Sequence, residues 1–566
     1  MTTSTSARSG AHLVLETLER EGVDVVFGYP GGAIMPLYDA LYGHNVRHVL
    51  VRHEAAAAFA AGGYARSSGR VGVCLATSGP GATNLITGIL DAMMDSVPLV
   101  AITGQVKSTL LGTDAFQEAD VAALTHTITK RNIVVRDVAQ IIPALRSAFA
   151  IARGPRPGPV LVDIPSDILR ALHAPENVEP EPERPRATAP ASDPDAIARA
   201  IAAIAKAKKP VVIAGGGLRW ADAVDEYRAF VKTLGVPHTA TLHGLGCADP
   251  EDPTFLGMLG MHGWKRANLA VADADLVVAL GMRFDDRVTG NPARFATNAQ
   301  VIHADVDASE FGKIRNPEIA LHADLKATLI ALNAALADHD ALAGHAGWAV
   351  ETQERGAPPA RDRACGGALS ATDVLDALFA EIAPGTIVAT DVGQHQMWAA
   401  QRVRPSHPRD FMSSGGLGSM GFGFPAAIGA QFAHPGRPVV AIVGDGGFQM
   451  SFAELATLRR YGVPVKVLLL DNRNLGMVRQ WQQIFFNERY SATSLDDNPD
   501  FCMIARAYEI ETNTVSQQSD LRAAIRAFLD SEVSTLLHCA CFPMENVWPM
   551  IPSGTSVEES MEAVPA

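Results

Sequence analysis

At 566 residues the chain is longer than one ordinary domain and predicts about three or four. Hydrophobic residues make up 48% and charged residues 19%, a globular composition without the charge or proline bias that marks disorder. A formal net charge of −14, with no clustered run of Lys and Arg, speaks against a nucleic-acid partner; an acidic surface mainly promotes solubility.

Six cysteines (Cys74, Cys247, Cys365, Cys502, Cys539 and Cys541) are scattered without a CxxC pair, so neither a zinc site nor a disulfide framework is expected. The stretch Met1 to Ala11 is short and polar, unlike a signal peptide, and no apolar run reaches the roughly 18 residues needed to span a bilayer. The expectation is a cytoplasmic protein with no membrane partner.

Short apolar runs, each followed by a Gly-containing turn and a helical stretch, repeat along the chain as βα units of parallel sheets do. The first block has Val23 to Phe27, Val46 to Val51, Val71 to Ala76, Leu99 to Ile102 and Val160 to Val162. Six prolines between Pro175 and Pro194 then favour extended backbone. The second block has Val211 to Ala214, Leu276 to Leu280 and Val301 to Ala304, and a further break spans about Ala341 to Leu369. The third has Ile387 to Ala389, Val439 to Val443, Val465 to Leu470 and Leu536 to Ala540. The reading is three open parallel-sheet α/β domains at 1–175, 193–342 and 371–545, joined by linkers at 176–192 and 343–370 and followed by a tail at 546–566. Ligands are expected beyond the carboxyl ends of the strands.

The strongest chemical signal lies in the third block. The run Val439 to Val443 ends in Gly444-Asp445-Gly446-Gly447, and Val465 to Leu470 ends in Asp471-Asn472-Arg473-Asn474, with Asn472 27 residues after Asp445. Two strand ends can thus offer a carboxylate and an amide oxygen to one hard cation, while glycines let backbone N–H groups approach a phosphate. A lone GDG is more often a plain turn; with the Asn at this spacing it resembles the motif that binds thiamine diphosphate (ThDP) and Mg2+. Upstream, Asp391-Val392-Gly393-Gln394-His395 follows another strand, and a Gly-rich turn runs from Ser413 to Gly421. ThDP chemistry also needs a carboxylate in apolar surroundings to shift the pyrimidine ring toward its imino form. Glu54, among alanines at a strand-to-helix junction, is the candidate; its ordinary reading is a first-turn Glu favoured by the helix dipole.

An ordered set of segments carries the resemblance further. Tyr29-Pro30-Gly31-Gly32-Ala33, Arg52-His53-Glu54, Thr77 to Asn84, Gly112 to Glu118, Met258 to Gly263, Arg283 to Gly290 and Leu475 to Gln482 resemble, in the same order, segments of the acetohydroxyacid synthase (acetolactate synthase) family. That resemblance implies an enzyme that decarboxylates pyruvate on ThDP and transfers the hydroxyethyl unit to pyruvate or 2-ketobutyrate, the first common step of branched-chain amino acid biosynthesis. It implies a pyrimidine domain, a middle domain that binds FAD without net redox, and a diphosphate domain. The family's sites lie between two subunits, so a homodimer or dimer of dimers is implied; a small regulatory subunit is a further partner it allows.

Carried over residue by residue, Glu54 activates the cofactor, with Pro30 and Gly79 in the first-domain wall and Gln117 and Phe116 near the reacting carbons. Gln394, His395, Gly446 and Gly447 contact the diphosphate, Gly418 accepts from the aminopyrimidine, and Met420 props the folded cofactor; Asp445, Asn472 and the backbone of Asn474 hold Mg2+. Arg156, Gly215, Gly216, Gly217, Thr241, Leu242, Met261, His262, Gly281, Arg283, Asp285, Val288, Asp305 and Asp324 fall on FAD-contacting positions. Arg287 would hold a keto-acid carboxylate bidentately, the alternative being an ion pair with Asp286; Trp481 and Met477 would shape the second-substrate pocket, the alternative for Trp481 being core packing. Two positions depart from the family: Ser166 stands where a Lys is usual near the entrance, and Lys107 where many relatives have Pro, so sulfonylurea sensitivity does not follow from the resemblance. Among rival enzymes of the same architecture, glyoxylate carboligase lacks the carboxylate that Glu54 supplies, and Arg283 to Arg287 favours the FAD-bearing type.

Overall fold

A computed structural model describes residues 7–173, 190–337, 345–356 and 368–563. Within them lie three six-stranded sheets, each parallel throughout, with the connecting helices on both faces. In the first sheet the order is Arg47–Leu50, Val25–Gly28, Gly72–Ala76, Leu99–Gln105, Pro159–Pro165, Arg131–Val134. The third repeats that order: Phe411–Met412, Ile387–Thr390, Val439–Gly444, Lys466–Asp471, Thr535–Ala540, Glu511–Val515. The middle sheet differs, running Phe255–Met258, His238–Ala240, Pro210–Ala214, Leu276–Leu280, Gln300–Asp305, Ile319–His322. Numbered within its own domain that is 3-2-1-4-5-6, the doubly wound order of dinucleotide-binding sheets.

Every apolar run read as a strand is a strand, because strands covered on both faces are apolar throughout. The strands that the sequence reading lacked sit mostly at edges and carry polar or few residues. Glu511–Val515 is largely exposed, Ile319–His322 alternates buried and exposed, and Phe411–Met412 is two residues long.

Helix Glu54–Ser68 ties the first domain to the third. His53 caps it by accepting from the Ala55 N–H at 3.1 Å, and Gly69 ends it at φ 76°. Its alanine- and glycine-rich sequence has no polar face, so it is buried along most of its length against helix Gly423–Ala433. A Cβ at Gly63 would overlap the backbone of Ala426, and one at Gly429 the carbonyl of Ala60, so glycine sets this close approach. A single apolar cluster runs from Phe27 and Ala61 through Phe424 and Ile428 to Val443 and Leu469, joining both sheets.

Two boundaries need correction. The stretch 343–370 is not all linker: Ala346–Glu354 is helical, and buried Trp348 donates its indole N–H to the Pro210 carbonyl at 3.2 Å. Residues 546–563 of the stretch read as a tail are packed onto the rest of the chain. Trp548 and Met550 are buried beside Met261, the Ile551 N–H donates to Met261 at 2.8 Å, and the Asn291 N–H donates to Thr555 at 2.8 Å, closing the chain onto the middle domain. The proline-rich linker lies outside the described residues except for Pro190 to Ser192.

Candidate active site

In the first and third sheets the strand order reverses beside the domain's first strand, and there the glycine motifs gather. In the third domain Ile387–Thr390 runs through Asp391 into Val392 to His395, and Val439–Gly444 into Asp445 to Gly447; Asp391 itself lies behind the cavity wall that the others form. Together with Asn472, Asn474, Gly476, Met420 and Met477 they line a small cavity of about 70 Å3. A Cβ at Gly444 would lie 2.9 Å from the His395 ring and one at Gly447 2.9 Å from the Asp391 carboxyl carbon, so this turn has room only for backbone. Burial lowers His395 to about 4, which keeps the ring neutral, and its Nε2 is buried without a partner. Burial and the nearby Asp471 raise Asp445 above the usual carboxylate range, while His538 Nε2, 2.9 Å from Asp471, helps to hold that second carboxyl low. Asn498 bridges the two acids at 2.9 and 3.1 Å. Among the described residues no three His, Cys, Asp or Glu side chains cluster to hold a metal, so a cation here needs the mixed set of carboxylate, amide, backbone and phosphate oxygens.

Gln394 is already engaged. It donates to Gln480 and to the Glu545 carbonyl, both at 2.9 Å, and accepts from Asn472 at 3.2 Å. Its amide therefore orients Asn472.

A second cavity, of about 910 Å3, opens between the three domains, at the upper end of the roughly 300–1,000 Å3 of small-molecule sites. The middle-domain turns Gly216-Gly217 and Gly281 line it at that sheet's switch point, as do Thr241, Leu242, Met261, His262, Arg283, Asp285, Val288, Asp305 and Asp324. Gly215 does not line it; the Gly215 N–H donates to Leu280 at 2.8 Å and packs the turn against the neighbouring strand. Arg156 crosses from the first domain, donating to Asp307 and Glu310 at 2.7 Å each. Burial pushes Asp305 up to about 6. Trp481, Met477 and Arg287 stand toward the third-domain end, where Met420, Met477, Val392 and Val478 are shared with the small cavity. The Arg287–Asp286 pair is 3.8 Å apart with both side chains more than half exposed, a geometry that contributes little. Trp481 packs edge-on to Phe485 and its indole N–H has no partner.

The other first-domain candidates, Pro30, Glu54, Gly79, Phe116 and Gln117, form a separate group that lines neither cavity. Glu54 accepts from Asn84 at 2.9 Å, and a Cβ at Gly81 would be 3.3 Å from its other oxygen. Gly79 (φ 55°) packs against the backbone of Gln117, which is itself held at φ 60°. Pro30 is exposed, and Phe116 is 89% exposed on the same loop as Gln117. The apolar enclosure expected around Glu54 is thus not supplied within one chain: the carboxyl is only half-buried. Ser166 is buried at the start of helix Ser166–Arg170 and Lys107 is exposed, and neither lines a cavity.

Sequence reasoning missed Asp391, Asp95 and His243. Buried Asp391 accepts from the N–H groups of Val392 (2.6 Å) and Gly421 (2.9 Å) and so ties the end of the Gly-rich turn to the loop after Ile387–Thr390; burial raises it to about 6. Its signal was an acid at a strand end just before a glycine.

Family models for thiamine pyrophosphate enzymes match all three domains: the N-terminal TPP-binding domain at residues 8–124, the central domain at 197–332 and the C-terminal TPP-binding domain at 391–539. The chain is 48% identical to the acetolactate synthase isozyme 2 large subunit of Escherichia coli, over 98% of this chain and 99% of that one. It is 43% identical to the acetolactate synthase large subunit of Lactococcus lactis, over 97% and 96%. It is 45% identical to the chloroplastic acetolactate synthase of Arabidopsis thaliana, over 97% and 83%. With three matched domains in order and identity sustained over nearly the whole length, the chain belongs to the acetolactate synthase family of thiamine pyrophosphate enzymes.

Proposed function

We propose that this chain is an acetolactate synthase that decarboxylates pyruvate and joins the two-carbon unit to a second 2-keto acid, using ThDP, Mg2+ and a non-redox FAD. The observation that carries this reading is the continuity of the two cavities: a glycine cradle with one acid and one amide at its strand ends opens directly onto a wall bearing Arg287 and Trp481. Bound ThDP supplies an electron sink for the pair released as carbon dioxide leaves.

The residues divide the remaining work. Asp445, Asn472 and the Asn474 backbone would hold Mg2+, Gly446 and Gly447 would let N–H groups reach the diphosphate, and the unpartnered His395 Nε2 would be free to donate to it. Gln394 acts by orienting Asn472. The Gly418 carbonyl would accept from the aminopyrimidine, Met420 would support the cofactor, and Glu54 would hold the proton that the pyrimidine ring gives up or takes. Because the Glu54 face lines neither cavity, a second copy of the chain brings that face, with Pro30, Gly79, Phe116 and Gln117, to the cradle. FAD fills the large cavity along Gly216-Gly217, Gly281 and Arg156, an assignment favoured by the dinucleotide-type strand order. Arg287 binds the acceptor carboxylate, and Trp481 with Met477 shapes the pocket for its alkyl group. The E. coli and L. lactis relatives are named large subunits, which supports a small regulatory partner here too. Among the described residues no helix is long and apolar enough to cross a membrane, in keeping with a cytoplasmic enzyme.

Product analysis tests this reading. Pyruvate alone should give 2-acetolactate, and pyruvate with 2-ketobutyrate should give 2-aceto-2-hydroxybutyrate as well, both requiring ThDP, Mg2+ and FAD. Release of acetate or acetaldehyde as the main product would contradict it.

A further inference from the structure

The three domains meet at a buried charged cluster beside the large cavity. Arg66, on helix Glu54–Ser68, donates to Asp91 at 2.7 Å and to Asp95 at 2.9 Å, and its guanidinium lies over the Phe422 ring at 4.6 Å. Both acids belong to the first domain but reach into the third. Asp91 accepts from the Ser414 hydroxyl, and Asp95 accepts the backbone N–H groups of Gly415 at 3.2 Å and Gly416 at 2.7 Å. These residues begin the turn that ends at Gly418, which bends at φ 73°. Burial raises the Asp95 carboxyl, but His243 and Arg66 overcome that effect and hold it below the usual carboxylate range, so it stays ionised.

His243 is the middle-domain member. It follows Thr241 and Leu242 along the wall of the large cavity, and its Nε2 is 3.0 Å from Asp95. The ring fills the space between two glycine turns. A Cβ at Gly216 would lie 2.8 Å from the His243 Cβ, and a Cβ at Gly415 would collide with Nε2. A ligand pressing on the Gly216 turn therefore meets a side chain that also bears on Gly415 and on the carboxylate holding Gly416.

We propose that Asp95 is a positioning residue for the Gly415–Gly418 turn and that His243 couples that turn to occupancy of the large cavity, so that flavin and ThDP strengthen each other's binding. The inference rests on the reading that FAD fills that cavity. By linkage the coupling is reciprocal, and couplings of this kind are typically about 5-fold or more.

The test uses full-length apo-protein with Mg2+ present. FAD binding is followed by its own fluorescence, and ThDP is titrated through quenching of Trp398 and Trp481, with and without saturating FAD. In the parent protein, FAD should tighten ThDP binding about 5-fold or more. His243→Ala should still bind FAD but bring that ratio close to one. Asp95→Asn should weaken ThDP in both conditions; should it not fold, the His243→Ala ratio decides. Weaker binding in His243→Ala with the ratio unchanged would mean a merely structural role and would overturn the proposal. So would FAD binding to the parent protein without effect on ThDP. Absence of FAD binding altogether would overturn the cavity reading, and this inference with it.

Discussion

Trp481 lines the large cavity, with Met261 beside it and the Arg287 guanidinium 6.0 Å from its ring centroid. Pyruvate and 2-ketobutyrate differ by one methylene, a difference that a shaped apolar contact turns into about 10-fold to 200-fold selectivity. The parent enzyme should favour 2-aceto-2-hydroxybutyrate at equal keto-acid concentrations, and Trp481→Leu should lower that ratio severalfold while sparing the pyruvate-only reaction. Equal product ratios in competition assays would make Trp481 structural and move specificity to Met477, Phe116 or Val478. Asp163 offers a residue-scale test of burial. Taken out of water at a strand end, with Thr103 and Gln105 donating to it at 2.6 and 3.0 Å, it is pushed up to about 6. The folded state then binds this proton more tightly than the unfolded chain, so the contribution to stability is greatest below about pH 4 and falls as pH rises through about 6, by about 3 kcal/mol in all. Asp163→Asn lacks that slope: relative to the parent, its Tm should rise between pH 5 and pH 8. A pH-independent Tm difference would contradict the burial argument. Asp445 and Asn472 could be picked out in the sequence because each follows an apolar strand in a motif suited to a cation and a phosphate, whereas Arg287 was picked out only through the family resemblance. Asp95 was not, since an acid whose backbone N–H partners lie 320 and 321 residues away leaves no local pattern.

At the scale of elements, helix pairing decides how the first and third domains sit together. Ala is intrinsically better than Gly in a helix by about 1 kcal/mol, so Gly429→Ala on propensity alone would stabilise. Its added Cβ overlaps the Ala60 carbonyl, and overpacking of this kind costs about 1–3 kcal/mol. The prediction is a lowered Tm for Gly429→Ala. Gly347, in the helix Ala346–Glu354 with nothing within 4 Å, should tolerate Ala with a change below about 1 kcal/mol. A Gly429→Ala protein as stable as the parent would mean that the two helices move apart freely. The same elements show why the sequence reading recovered central strands and lost edges. Val439–Gly444 is covered on both faces and reads as unbroken apolar residues, whereas Glu511–Val515 pairs on one side only and has a polar, mostly exposed sequence. The break at 343–370 read as a linker because Gly, Pro and charge dominate it, yet buried Trp348 and the hydrogen bonds of Gln353 dock the helix inside it onto the middle domain.

At the scale of the whole molecule, repetition is the organising fact. The first and third domains share one strand order, and each carries its candidate residues on the loops that follow its strands: Glu54 and the Gly79 turn in one, Asp445 and Asn472 in the other. In a single chain these two halves line no common cavity among those described, which is what the proposed centre shared by two chains requires. The most direct measurement is acetolactate formation from pyruvate by co-expressed Glu54→Gln and Asp445→Asn chains. Each variant alone should lose most activity, since general acid–base assistance of the Glu54 kind is worth about 10²–10⁴ in rate. Random pairing makes about half of the dimers mixed, each with one intact centre, so the mixture should regain about a quarter of the parent activity. A mixture no more active than either variant alone would contradict the shared site.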